Sequence, residues 1–94
     1  MENIAQLKII LAVSEWLGDT AESLVDDEKA VRVVGVVEPD NCGVSFRMFV
    51  AKADVGKIIG KSGRTARSIR TLLGARAKKD GTIYSLDIVE DDRP

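Results

Sequence analysis

The chain contains no histidine, one cysteine (Cys42), two prolines and four aromatic residues: Trp16, Phe46, Phe49 and Tyr84. Each shortage removes a class of chemistry. Without histidine, no side chain has an ordinary pKa suited to acid–base work near neutrality. A single cysteine excludes a disulfide within the chain, and with histidine absent it leaves no ordinary ligand set for zinc. Cys42 lies in the turn-forming run Pro39-Asp40-Asn41-Cys42-Gly43 and reads as incidental; a lone thiol fits a reducing compartment. Ile9–Val13 is an apolar run of five residues between Lys8 and Glu15, against the roughly 20 that a bilayer span requires. No secretory signal is visible at the N-terminus. The expectation is a cytoplasmic protein with no membrane segment, no cofactor and no metal. Most carboxylates fall in loops and the tail, away in sequence from the basic segment described next, so a binding protein is expected and not an enzyme.

What is present is charge that is sorted along the chain. Ninety-four residues, 45% of them apolar, make one small globular domain, residues 1–94. The net charge of −1 hides a division. Between residues 52 and 79 stand nine bases (Lys52, Lys57, Lys61, Arg64, Arg67, Arg70, Arg76, Lys78 and Lys79) and one acid, Asp54; the remainder carries five bases and fourteen acids. A localised basic face is the footprint of a phosphate-binding surface.

Hydrophobic periodicity gives the element order. Residues 2–17 read as a helix ended by Gly18, and Ile4, Leu7, Ile10, Leu11, Val13, Trp16 and Leu17 spread over more than one of its faces, so cover on more than one side is expected. Residues 19–29 form an acidic, solvated loop with at most a helical turn near Ala21–Val25. Residues 30–38 are rich in valine and read as a strand; 39–43 turn; 44–50 form a second strand with Val44, Phe46, Met48 and Val50 on one face and Ser45, Arg47 and Phe49 on the other. Arg47 and Phe49 are cross-strand partners or interface residues, the former favoured. Asp54 is placed to cap a short helix at 55–59. A longer helix covers 64–79, with Ala66, Ile69, Leu72, Leu73 and Ala77 inward and Gly74 as a point of close approach. Asp80-Gly81 ends it, 82–90 form a third strand with Tyr84, Leu86 and Ile88 on one face, and 91–94 are a tail. The order α-β-β-α-α-β implies an α+β two-layer sandwich, a three-stranded sheet with helices on one face.

The densest signal is Gly56-Lys57-Ile58-Ile59-Gly60-Lys61-Ser62-Gly63-Arg64-Thr65-Ala66-Arg67. Two glycines bracket a lysine and a serine just before a helix whose free N–H groups point back at the loop. Three readings compete. A nucleotide-hydrolysing P-loop, G-x-x-x-x-G-K-[ST], places its first glycine where Val55 stands, and the chain is short for such a domain. A tight turn between two packed helices needs glycines and no ligand. A loop that clamps a single-stranded nucleic-acid backbone accounts for the glycines and the local charge together.

Ile58-Ile59-Gly60-Lys61-Ser62-Gly63-Arg64-Thr65-Ala66-Arg67-Ser68-Ile69 resembles the KH signature, and the element order resembles the type II KH fold. The small size, the leading helix and the loop sequence resemble the stand-alone bacterial KH proteins of the KhpA family; the specific match covers about residues 44–90. Ala66 stands where many KH domains have a larger aliphatic residue. The resemblance implies a single-stranded RNA-binding protein, an RNA chaperone or post-transcriptional regulator linked to cell elongation and division. It implies contacts from Lys57, Ile58, Ile59, Gly60, Lys61, Ser62, Gly63, Arg64 and Arg67. One of Ile58 and Ile59 anchors the core and the other floors a groove; the sequence leaves open which, and Val55 is a similar case. Arg70, Arg76, Lys78 and Lys79 read as a solvated helix face or outer phosphate contacts. With no aromatic near the loop, a stacking platform of the RRM or OB kind is disfavoured. The resemblance also implies a homodimer, or a heterodimer with a larger KH protein of the KhpB or Jag kind, and a protein-interaction module is the alternative reading.

Overall fold

Alternation of large apolar with smaller or polar side chains makes residues 44–51 the centre of the molecule. This strand, β2 (Val44–Ala51), buries Val44, Phe46, Met48 and Val50 and turns Ser45, Arg47 and Phe49 the other way. The computed structural model describes residues 4–91. Around β2 stand α1 (Ile4–Leu24), β1 (Arg32–Val37), α2 (Val55–Ile59), α3 (Arg64–Asp80) and β3 (Tyr84–Asp91). The order is the α-β-β-α-α-β read from the sequence. β1 pairs antiparallel with β2, Arg32 opposite Phe49 and Val37 opposite Val44, through the turn at Pro39–Asn41. β3 pairs parallel with β2, Val44 opposite Tyr84 and Ala51 opposite Asp91. The sheet order is therefore β1-β2-β3, with the helices on one face. That face carries the core: Val13, Leu17 and Ala21 of α1, Ile58 of α2, Ile69, Leu73 and Ala77 of α3, and Tyr84 and Leu86 of β3 close over β2. The Phe46 and Tyr84 rings meet edge to face at 5.4 Å.

Several boundaries differ from expectation for identifiable reasons. α1 does not end at Gly18; it runs to Leu24 and takes Asp19 and Glu22 with it, so the acidic loop is shorter than 19–29. Leu17 and Ala21, one turn apart, are both fully buried, and their packing outweighs the roughly 1 kcal/mol that a helical glycine costs. Residues 2 and 3 of the expected helix and 92–94 of the expected tail lie outside the described residues; Asp91 belongs to β3. α1 is covered on one side only, since Ile4, Leu7 and Leu11 are exposed. On α3 the inward stripe is Ala66, Ile69, Leu73 and Ala77, while Leu72 is 59% exposed. A Cβ at Gly74 would meet nothing within 4 Å, so no close approach explains that glycine. α3 ends as expected at Gly81, left-handed at φ 73°, whose N–H donates to Lys78 O while the Thr82 N–H reaches Ala77 O at 3.0 Å.

Two part-buried polar networks pin the helices. Asp54 lies at the cap position of α2, yet its carboxylate makes no capping bond. It instead accepts from the Asp27 backbone N–H at 3.0 Å and from Lys57 Nζ at 3.1 Å, tying the acidic loop to the start of α2. The Asp27 N–H first, and Lys57 second, hold its carboxyl below the usual range. At the far end of α3, Tyr84 Oη donates to Asp80 Oδ2 at 2.7 Å and Arg76 Nε donates to the same oxygen at 2.8 Å. Burial, and then the bond to Asp80, push the Tyr84 phenol up to about 12.

Tyr84 is the sole tyrosine, so its ultraviolet titration is unambiguous: the midpoint is expected at about 12 and falls toward the ordinary value near 10 in Asp80→Asn. Because the folded pKa is raised, the linked stability is complete below about pH 10 and is lost as pH rises through the folded value; urea midpoints across that window check it. Asp54 carries the opposite sign. The stability difference between wild type and Asp54→Asn is expected to be full above about pH 5 and to shrink as pH falls through the lowered carboxyl pKa. A difference that stays constant down to pH 2 contradicts the role given to the Asp27 and Lys57 bonds.

Candidate nucleic-acid interface

The loop between α2 and α3 has one shape available to it. α2 closes with the Gly60 N–H donating to Gly56 O at 2.9 Å, and the Gly63 N–H turns back to Gly60 O at 3.0 Å. Gly60 sits at φ 77°, ψ 171°, a region that is essentially glycine-only. A Cβ there would collide with Thr65 Oγ1 and lie 2.6 Å from Thr65 Cβ. Ser62 (φ 57°, ψ 26°) and Gly63 (φ 73°, ψ 12°) are both left-handed. Ser62 bears that conformation at a cost of about 1–2 kcal/mol, which the flanking helices impose.

α3 then begins at Arg64 with no side-chain cap at Gly63 and no acid in its first turn. The Arg64 N–H turns back to Lys61 O, the N–H groups after it receive no side-chain cap from Gly63, and the positive end of a 17-residue helix faces the loop. Lys61 and Ser62 are exposed at the tip, and Arg64 and Arg67 follow at three-residue spacing on the exposed side of α3. Among the described residues no carboxylate pairs with Lys61, Arg64 or Arg67. The result is a backbone concavity rimmed by uncompensated cations, which suits the oxygens of a phosphodiester chain.

The structure sorts the other residues named from sequence. Ile58 is fully buried in the core, and Ile59 is 36% exposed beside the loop, so Ile58 is the anchor and Ile59 the surface residue. Val55 is half-buried against the core. Lys57 is drawn away from a free role: its Nζ lies 3.0 Å from Asp26 Oδ2 and 3.1 Å from Asp54 Oδ1, and the bonds to Asp26 and then Asp54 raise its pKa. Arg70 lies on the exposed face of α3 as expected, and its Nε and Nη2 also donate to Leu86 O at 3.3 and 3.0 Å, tying α3 to β3. Arg76 is held by Asp80. Lys78 and Lys79 are exposed in the last turn of α3, at its far end from the loop.

Sequence reasoning passed over Thr65, whose side chain makes glycine obligatory at 60. It also missed the tie from Asp54 to Lys57, for which the signal was Asp54 itself, the one acid in the basic segment. A cavity of about 640 Å³ beside Gln6, Val37, Lys78 and Ile83 contains none of the loop residues. Among the described residues no cluster of carboxylate or thiol groups could hold a metal ion, and no helix is long and apolar enough to cross a membrane.

Known proteins match over the same region. The sequence model for the KH domain of KhpA/KhpB matches residues 14–88. The RNA-binding protein KhpA of Chlamydia trachomatis serovar D is 39% identical over 79 residues, 84% of this chain and 99% of the relative. The RNA-binding protein KhpA of Borreliella burgdorferi is 45% identical over 69 residues, 73% of this chain and 82% of the relative. That of Aquifex aeolicus is 41% identical over 71 residues, 76% and 87%. No solved structure gives a significant match. A family model spanning most of the chain, relatives matched over most of their own length, and a Gly-x-x-Gly loop between the two helices of a β-α-α-β unit together decide the matter: the chain belongs to the KhpA/KhpB KH-domain family.

Proposed function

We propose that this protein binds single-stranded RNA by clamping its sugar-phosphate backbone on the Gly60–Gly63 loop. The carrying observation is the conjunction of a loop locked by glycine-specific dihedrals with three cations, Lys61, Arg64 and Arg67, that no carboxylate among the described residues compensates. Curated relatives carrying the name RNA-binding protein KhpA support the choice of RNA. Gly60 and Gly63 admit the backbone closely, Lys61 supplies charge, Ser62 a hydroxyl, and the first turn of α3 its N–H groups. Ile59 supplies apolar surface beside the loop, and Ile58 holds it there from the core. Lys57 serves by fixing α2 to the acidic loop. A cytoplasmic site of action, with RNA chaperoning or post-transcriptional control tied to elongation and division, follows from the family resemblance. The protein acts by binding and not as an enzyme.

Self-association is a second reading, and one observation favours it. Ile4, Leu7 and Leu11 leave an apolar stripe uncovered along α1. A homodimer, or a heterodimer with a larger KH protein of the KhpB or Jag kind, would cover it without using the loop. Leu7→Glu/Leu11→Glu is then expected to give a monomer by sedimentation with RNA affinity retained.

Replacing Lys61 and Ser62 by aspartate is expected to abolish binding to short single-stranded RNA while circular dichroism stays unchanged; RNA binding that survives in the folded double variant sinks the clamp. Arg64→Gln and Arg67→Gln are each expected to lower the salt slope by about 0.7, as one lost phosphate contact on a single strand does, whereas Lys57→Gln leaves the slope unaltered. Gly60→Ala is expected to lose both RNA binding and roughly 1–3 kcal/mol of stability, measured by urea unfolding.

A further inference from the structure

The helices leave the other face of the sheet bare, and that face carries a group of side chains that the loop does not use. Alternation puts Arg32, Val34 and Val36 of β1, Ser45, Arg47 and Phe49 of β2, and Ser85, Asp87 and Val89 of β3 there, and the register sets them in rows. One row is Arg32, Phe49 and Val89; the next is Val34, Arg47 and Asp87. The Arg32 guanidinium stacks on the Phe49 ring, 3.9 Å from its centroid, so Phe49 is a cross-strand partner as expected from sequence. The stack is also unusual in what it lacks. Arg32 Nε is shut away from solvent with no acceptor, and neither Arg32 nor Arg47 pairs with a carboxylate among the described residues, although Asp87 stands across from Arg47. Two arginine charges are thus left unmatched around an aromatic ring.

From this arrangement we infer that the open sheet face is a second subsite for single-stranded RNA, taking nucleotides beyond those on the loop. The Arg32 guanidinium covers one face of the Phe49 ring, so a base is received on the outer side of the guanidinium or against the ring edge; unpaired bases stack on aromatic and guanidinium planes alike. Arg47 supplies charge for a phosphate. Asp87 accepts from the amino or imino N–H of a stacked base. Val34 and Val89 give the platform an apolar border. Lys52, exposed and paired with no carboxylate among the described residues, follows β2 in the turn that leads to α2 and the loop, which gives the RNA a basic contact between the two subsites in the chain. The inference rests on the proposed RNA function, and it supplies the stacking surface that the loop, with no aromatic near it, does not have.

The test uses the full chain and two homopolymeric RNAs, one of about four nucleotides, the length a KH loop clamps, and one of about a dozen, within the range that sheet platforms cover. Arg47→Gln/Phe49→Leu is the sheet variant, and Lys61→Asp/Ser62→Asp the loop variant. The wild type is expected to hold the longer RNA about tenfold or more tightly than the shorter. The sheet variant is expected to lose that advantage and keep the affinity for the short RNA within about twofold. Photo-crosslinking of 4-thiouridine RNA to Phe49 or its neighbours on β2 is the independent readout, since a merely structural role for the arginine–phenylalanine stack would not produce it. A sheet variant that keeps the full length advantage, or one that changes the sedimentation of the free protein with RNA affinity unaltered, overturns the inference, the second outcome in favour of a contact between copies. The loop variant separates the two proposals. If it binds both RNAs as the wild type does, the clamp fails, and the sheet variant still decides whether Arg47 and Phe49 contact RNA.

Discussion

Parallel pairing of β2 with β3 is the constraint on which the rest depends. Two parallel neighbours cannot be joined by a tight turn; the chain must leave one end of the sheet and return to the other. Here the return is made by α2 and α3, and the join between these helices is the glycine loop. The loop is therefore suspended between elements fixed at both ends. Ile58 anchors α2 in the core, and Ala66, Ile69 and Leu73 do the same for α3. Arg70 adds a direct tie to the backbone of β3. A loop held in this way keeps its shape because the core keeps its shape.

The basic segment divides into cations that build and cations that remain available. Lys57, Arg70 and Arg76 have acceptors within the fold: carboxylates for the first and last, a strand carbonyl for the second. Lys61, Arg64 and Arg67 have none among the described residues and cluster at the loop. The contiguous charge seen in sequence thus serves two ends, and the position of Asp54 decides part of the division. Buried where α2 begins, it needs a counter-charge, and Lys57, three residues on, is within reach. The same acid orients the Asp27 N–H and closes the acidic loop against α2.

The elements that the sequence made legible are those with a clean period. The alternation of 44–50 and the β-branched run at 30–38 define the hairpin, and the glycine pair defines the loop. What escaped has a tertiary cause. Gly18 carries a local stop signal, but Leu17 and Ala21 both find cover against the sheet, so α1 continues. Leu72 is as apolar as Leu73 and one step around the helix from it, off the stripe of Ala66, Ile69, Leu73 and Ala77 that α3 turns to the core. Composition likewise treats Ile58 and Ile59 as equals, and the direction in which α2 enters the core separates them. Asp54 was legible as a cap by residue type and position, yet its carboxylate finds the Asp27 N–H and Lys57, partners that only the folded chain brings near. Parallel pairing of β3 gave no local signal either, because it joins residues about 40 positions apart.

The left-handed run at Ser62 and Gly63, behind the glycine-only turn at Gly60, has a kinetic consequence. The dihedral freedom of these residues is already lost when the chain folds, and the strain at Ser62 is met then as well. An anion docking there would find a finished surface and order none of the loop's backbone itself. Association at such a surface is governed by diffusion and by the field of the nearby cations, and it varies little from one ligand to the next. Discrimination among ligands accordingly falls on how long each one stays.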